Sequence, residues 1–107
     1  MPMNLSNMAE KLGLDVKECE EILNLFIDTT VSDLDTLGRG IQDEDASLVV
    51  QSSHSIKGAS ANLGFQEISS AARGIEMKAR QGILAGAREA ADVIRHQLES
   101  LKEVRNP

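Results

Sequence analysis

Apolar residues return along this chain every three or four positions, the period of amphipathic helices, and breaks rich in glycine or acid divide it into five segments. Asn4 to Leu12 predicts a short first helix that stops at Gly13. Asp15, with Glu18 three residues on, has the form of a capped helix start. A long helix follows, with Val16, Cys19, Ile22/Leu23, Phe26, Thr30, Leu34, Leu37 and Ile41 on one stripe and Gly38 and Gly40 weakening its last turn. Asp43-Glu44-Asp45 supplies acceptors for the start of a third helix, about Ala46 to Asn62, with Gly64 near its end. The fourth, about Gln66 to Arg80, gathers Ile68, Ala71, Ala72, Ile75 and Ala79 on one arc and ends before Gly82. The fifth, about Ile83 to Val104, repeats Leu84, Ala87, Ala91, Ile94, Leu98 and Leu101 at near-heptad spacing. Connections this short make neighbours antiparallel. The expected fold is therefore all-α: an antiparallel four-helix bundle with a short additional N-terminal helix.

Composition narrows this without changing it. The 107 residues allow one domain, 1–107, with a single core. Only 2% are aromatic, so the core must come from Leu, Ile, Val, Ala and Met, which suits helices better than a sandwich. A net charge of -6 speaks against the basic stripe a nucleic-acid binder needs. No basic segment leads an apolar run, and no stretch approaches the ~18 apolar residues of a membrane span. A soluble, cytoplasmic monomer is expected, and the starting Met and polar end favour a complete protein over a fragment. Cys19 reads as a small core residue.

The third helix carries the candidate chemistry. With about 100° per residue and His54 at zero, Leu48, Val49, Ser52, Ile56, Ala59, Ser60 and Leu63 fall between about 120° and 240°, the core side. Val50, Lys57, Gly58 and Ala61 fall within about 60° of His54 on the opposite side. The imidazole is thus aimed outward by the periodicity that buries Ile56. Imidazole free in water, with a pKa of about 6.5, is mostly neutral at pH 7 and needs no buried base to act as a nucleophile. Lys57, one turn on, offsets charge on a phosphoryl group attached to the ring. Gly58 costs about 1 kcal/mol relative to Ala in a helix interior and clears space beside the ring. Each has an ordinary account when taken alone: a solvated His, a common helical Lys, a Gly for close packing. Their joint placement, with Val50 and Ala61 as small apolar surroundings, points to a docking and phosphoryl-accepting face.

"HSIKGASANLGF" resembles the signature of histidine-containing phosphotransfer domains of two-component phosphorelays, where His is followed by Lys at +3, Gly at +4 and Gly at +10; here His54, Lys57, Gly58 and Gly64. The long preceding helix and the "GIEMKARQG" segment also match that layout, and details are similar to the phosphorylatable histidine domain of chemotaxis kinases. The resemblance implies that His54 accepts a phosphoryl group and relays it to or from an aspartate of a response-regulator receiver domain, with a histidine kinase or hybrid kinase upstream. It implies Lys57 near the phosphoryl oxygens, Gly58 admitting the partner and Gly64 shaping the next turn. Glu76 matches a polar position that hydrogen-bonds the other ring nitrogen, and Arg80 a basic position near the phosphoryl group. Glu76 and Arg80 flank the Ile68/Ile75/Ala79 stripe and reach sideways toward the third helix; an ordinary i,i+4 ion pair is the alternative.

The chain has no Walker A sequence and no kinase Gly-rich loop, so it reads as a phosphocarrier and not an enzyme, with Mg²⁺ expected on the partner receiver and no cofactor of its own. His96, four residues after Asp92, has a spacing that suits a metal, but two ligands do not make a site and an exposed ion pair is expected. The competing reading is a helical interaction module that binds a receiver or kinase domain without being phosphorylated.

Overall fold

The computed structural model describes residues 4–105, which form α1 (Leu5–Leu12), α2 (Val16–Gln42), α3 (Ala46–Asn62), α4 (Gln66–Arg80) and α5 (Ala87–Arg105). The helix boundaries follow local chemistry. Asn4 caps α1 by accepting from the Asn7 N–H at 2.8 Å, and Gly13, at φ 70°, closes it in the left-handed region. Asp15 and Glu18 form the reciprocal capping box of α2, at 2.8 and 3.2 Å. Asp45 caps α3 through the Leu48 N–H at 3.1 Å.

At about 1.5 Å per residue, the 27 residues of α2 extend about 40 Å, the full 42 Å long axis of the molecule. α3 runs back along it, since Gly40 lies against Val49, Asp33 bonds Ser55 and the Phe26 ring sits 5.0 Å from Phe65. α4 is antiparallel to α3, and α5 closes the bundle against α4 and α2 while α1 packs on α2. Leu23, Ile27, Leu37, Val49, Ile56, Ile68 and Ile94 fill the centre. Cys19 is buried among them, and burial pushes its thiol pKa up.

The structure corrects several details. Val16 and Ile22 are exposed, and Ile27 takes the inward place, because the stripe is centred on Leu23 and leaves Ile22 at its edge. Gly38 and Gly40 do not interrupt α2, which continues through them to Gln42. The fifth helix begins at Ala87, four residues later than the spacing predicts: Gly82 and Gly86 both hold positive φ, 77° and 83°, so the chain makes two turns between them. Ile83 is left exposed in that link, while Leu84 still packs on the core. Ser53 is fully buried, beyond the expected core arc.

Three serines let α3 approach its neighbours closely. The hydroxyls of Ser52, Ser53 and Ser60 donate to the carbonyls of Leu48, Val49 and Ile56 at 2.9, 2.7 and 2.6 Å, so each buried polar atom is satisfied within its own helix. Gly40 serves the same end from the other side. A Cβ there would lie 2.9 Å from Val49 Cγ2 and 3.2 Å from its backbone nitrogen. The two glycines of α2 should therefore respond oppositely to alanine. Gly38→Ala, with open space around its Cβ, should raise the unfolding free energy by up to about 1 kcal/mol. Gly40→Ala should lower it by about 1 kcal/mol or more, because overpacking against a stiff buried valine exceeds the gain in helix propensity. Urea denaturation of both variants checks the pair.

Candidate functional site

The third and fourth helices meet across one buried carboxylate. Glu76 lies on the flank of α4 that faces α3, one position beyond Ile75, and its side chain is 4% exposed. It receives three donors. His54 Nδ1 is 2.9 Å from Oε2, Arg80 Nη2 is 2.7 Å from Oε2, and Lys57 Nζ is 2.7 Å from Oε1. The His54 side chain above it is 62% exposed.

Burial raises the pKa of Glu76, as it would any carboxyl, but the hydrogen bonds from Lys57, Arg80 and His54 more than offset this and lower it from 4.5 to about 2. The group is therefore a carboxylate near neutral pH and can only accept. His54 Nδ1 must then carry the proton, which leaves Nε2 of the neutral ring with its lone pair on the side turned to water. The arrangement yields one accessible nucleophilic nitrogen with its tautomer fixed from below. Lys57 and Arg80 keep further N–H donors for an anion at the ring.

Gly58 is exposed, and nothing lies within 4 Å of where its Cβ would be. The close-packing account of this glycine therefore fails, whereas it holds for Gly40. Ala61 is exposed as expected. Val50 is not the exposed contact the helical wheel predicts: it is half-buried against the core and lines a shallow recess with Ala79 and Arg80. Gly64, at φ 78°, turns the chain from α3 into α4, some way along the helix from the ring. The expected His96–Asp92 pair is absent, because Asp92 instead accepts from Arg95 at 2.9 Å. No group of three His, Cys, Asp or Glu side chains is poised to hold a metal among the described residues. The wider groove of the molecule, between α1, the start of α4 and the end of α5, does not include His54. The site is a ridge and not a cavity.

Two contacts escape sequence reading. Lys57 binds the same carboxylate as His54, and Ser55 donates to Asp33 of α2 at 2.7 Å, fixing α3 to α2 beside the histidine. Neither pair shares a helix, so no i,i+4 spacing announces it.

The family model for the Hpt domain matches residues 21–104, well over half of the chain, and spans α3, α4, all but the last residue of α5 and all but the first turns of α2. No curated protein and no solved structure gives a match.

The depressed carboxyl sets a pH dependence. A folded pKa of about 2 against an ordinary 4.5 means that Glu76 contributes its full stabilisation above pH 4.5 and loses it as pH falls through about 2. That contribution is about 2–3 kcal/mol, the lower figure allowing for solvent screening at the half-exposed Arg80. The stability difference between the protein and Glu76→Gln that comes from this carboxyl should thus close as pH falls from 4.5 to 2. Chemical denaturation at stepped pH measures it.

Proposed function

This chain belongs to the Hpt domain family, and from that membership we propose that it carries a phosphoryl group on Nε2 of His54, relaying it to or from an aspartate of a response-regulator receiver domain. The observation that supports this most directly is the exposed imidazole held at Nδ1, 2.9 Å above an ionised, buried carboxylate. The transfer balances without a base. The Nε2 lone pair attacks the phosphorus of the aspartyl phosphate as the P–O bond to the aspartate breaks, and the carboxylate leaves with that electron pair. The ring keeps its Nδ1 proton and becomes cationic, and Glu76, already anionic at 2.9 Å, stabilises the charge as it develops.

On this reading Lys57 and Arg80 turn spare donors toward the phosphoryl oxygens, Gly58 leaves room for the partner backbone, and Ala61 and the rim of Val50 meet it at the edges. Gly64 acts at a distance by setting the turn. Mg²⁺ belongs to the receiver, where it supplies charge neutralisation for the transferring oxygens. The chain itself is a monomeric cytoplasmic carrier between a histidine or hybrid kinase and its regulator. No helix among the described residues is long and apolar enough to cross a membrane, in keeping with that place of work.

Incubation with a panel of labelled receiver domains should give an acid-labile, alkali-stable label on the wild type and none on His54→Gln, with helicity unchanged by circular dichroism. Unimpaired binding and signalling by His54→Gln would instead establish the unphosphorylated interaction module. Gly58→Gln separates docking from folding. It should be as stable as the wild type or up to about 1 kcal/mol more so, because the helix improves and nothing is displaced. Its transfer rate should fall by about 10- to 100-fold, since a misplacement of about 1 Å at the reacting atoms costs that much.

A further inference from the structure

Charge is distributed unevenly around His54. Residues 46–80, the α3–α4 hairpin, carry four basic side chains and two acidic ones, while the other residues carry seven basic and fifteen acidic. The hairpin is therefore +2 within a chain of -6. α3 has no acidic residue. Of the two acids on α4, Glu76 is buried, and Glu67 accepts from Gln97 of α5 at 2.6 Å, on the flank away from His54.

The antiparallel register locates the exposed cations. Val50 shares a recess with Ala79 and Arg80, His54 meets Glu76, and the Lys57 carbonyl accepts from Ser69 at 3.5 Å. Arg73, one turn before Glu76, is thus level with Lys57 and Gly58. It is exposed. Met77, 54% exposed, lies between Arg73 and Arg80 on the same face of α4. The opposite flank of His54 is α2, where Asp33 accepts from Ser55 and Asp35 follows two residues on. The histidine stands on a boundary between a basic wing and an acidic one.

We propose that the exposed face of α4 formed by Arg73, Met77 and Arg80 is one wing of the docking surface and takes an acidic edge of the receiver domain. This rests on the phosphocarrier reading and deepens it. Opposite charge draws that edge over α4, and the acidic surface of α2 repels it from the other side, so the partner's rotation about His54 is set before the reacting atoms meet. Met77 supplies an adaptable apolar contact between the two guanidinium groups.

The test uses a receiver domain that exchanges phosphoryl groups with the wild type. Arg73→Glu should lower kcat/KM for transfer about five- to tenfold at about 50 mM salt and less than about twofold at about 500 mM, where screening shortens the reach of charge to a few ångströms. Arg73→Ala should show a smaller loss of the same salt dependence. Arg88→Glu, an equal charge change at an exposed position of α5, should leave transfer unchanged. Calorimetric titration of the same receiver onto His54→Gln, with and without Arg73→Glu, reads docking where no transfer can occur. Normal exchange with Arg73→Glu, or equal loss with Arg88→Glu, overturns the wing while leaving the carrier intact. A chain that exchanges with no receiver overturns both.

Discussion

A carboxylate removed from water must find its hydrogen bonds in the protein, and the geometry around His54 follows from that requirement at Glu76. Unpaired, a buried anion would take up a proton or unfold its surroundings. Here the two oxygens meet three donors, two from α3 and one from the turn after Glu76 on its own helix. Charge compensation and assembly of the cluster are therefore one event: the contacts that keep Glu76 ionised also orient the imidazole and draw Lys57 and Arg80 around it. The cluster sits at the solvent edge of the α3–α4 contact, so the donors remain half-exposed while the acceptor does not.

For such a cluster to form, α3 must lie close to its neighbours, and small residues make that possible. The buried serines of α3 carry little volume and return their hydroxyls to their own backbone, so they cost no unmet hydrogen bond. Gly40 removes the last obstacle on the α2 side. The same residue type has the opposite meaning at Gly58, where no neighbour presses and the missing side chain faces solvent. One glycine is explained by what touches it, the other by what does not.

Much of this was legible in the chain. The helical period gave the limits of α3 and α4 and the outward direction of His54, and it put Glu76 and Arg80 on one flank of α4, where Glu76 reaches the third helix and Arg80 makes the i,i+4 pair with it. The failures have a common cause. Periodicity ranks positions around one helix, but it does not say how close the next helix comes. It therefore missed Ser53, buried by the tight approach of α3, and the half-burial of Val50. The pairing of Lys57 with Glu76, and of Ser55 with Asp33, depends on register between helices and leaves no mark on either sequence alone. The late start of α5 was written in the chain as a second glycine, Gly86, whose positive φ only the backbone reveals.

The histidine stands on a convex ridge with most of its side chain in water. A group bonded to Nε2 would have no walls around it, and solvent would reach it as freely as a partner does. How long a message persists would then be decided by the strength of the phosphorus–nitrogen bond, with the ring's electron density as the timer.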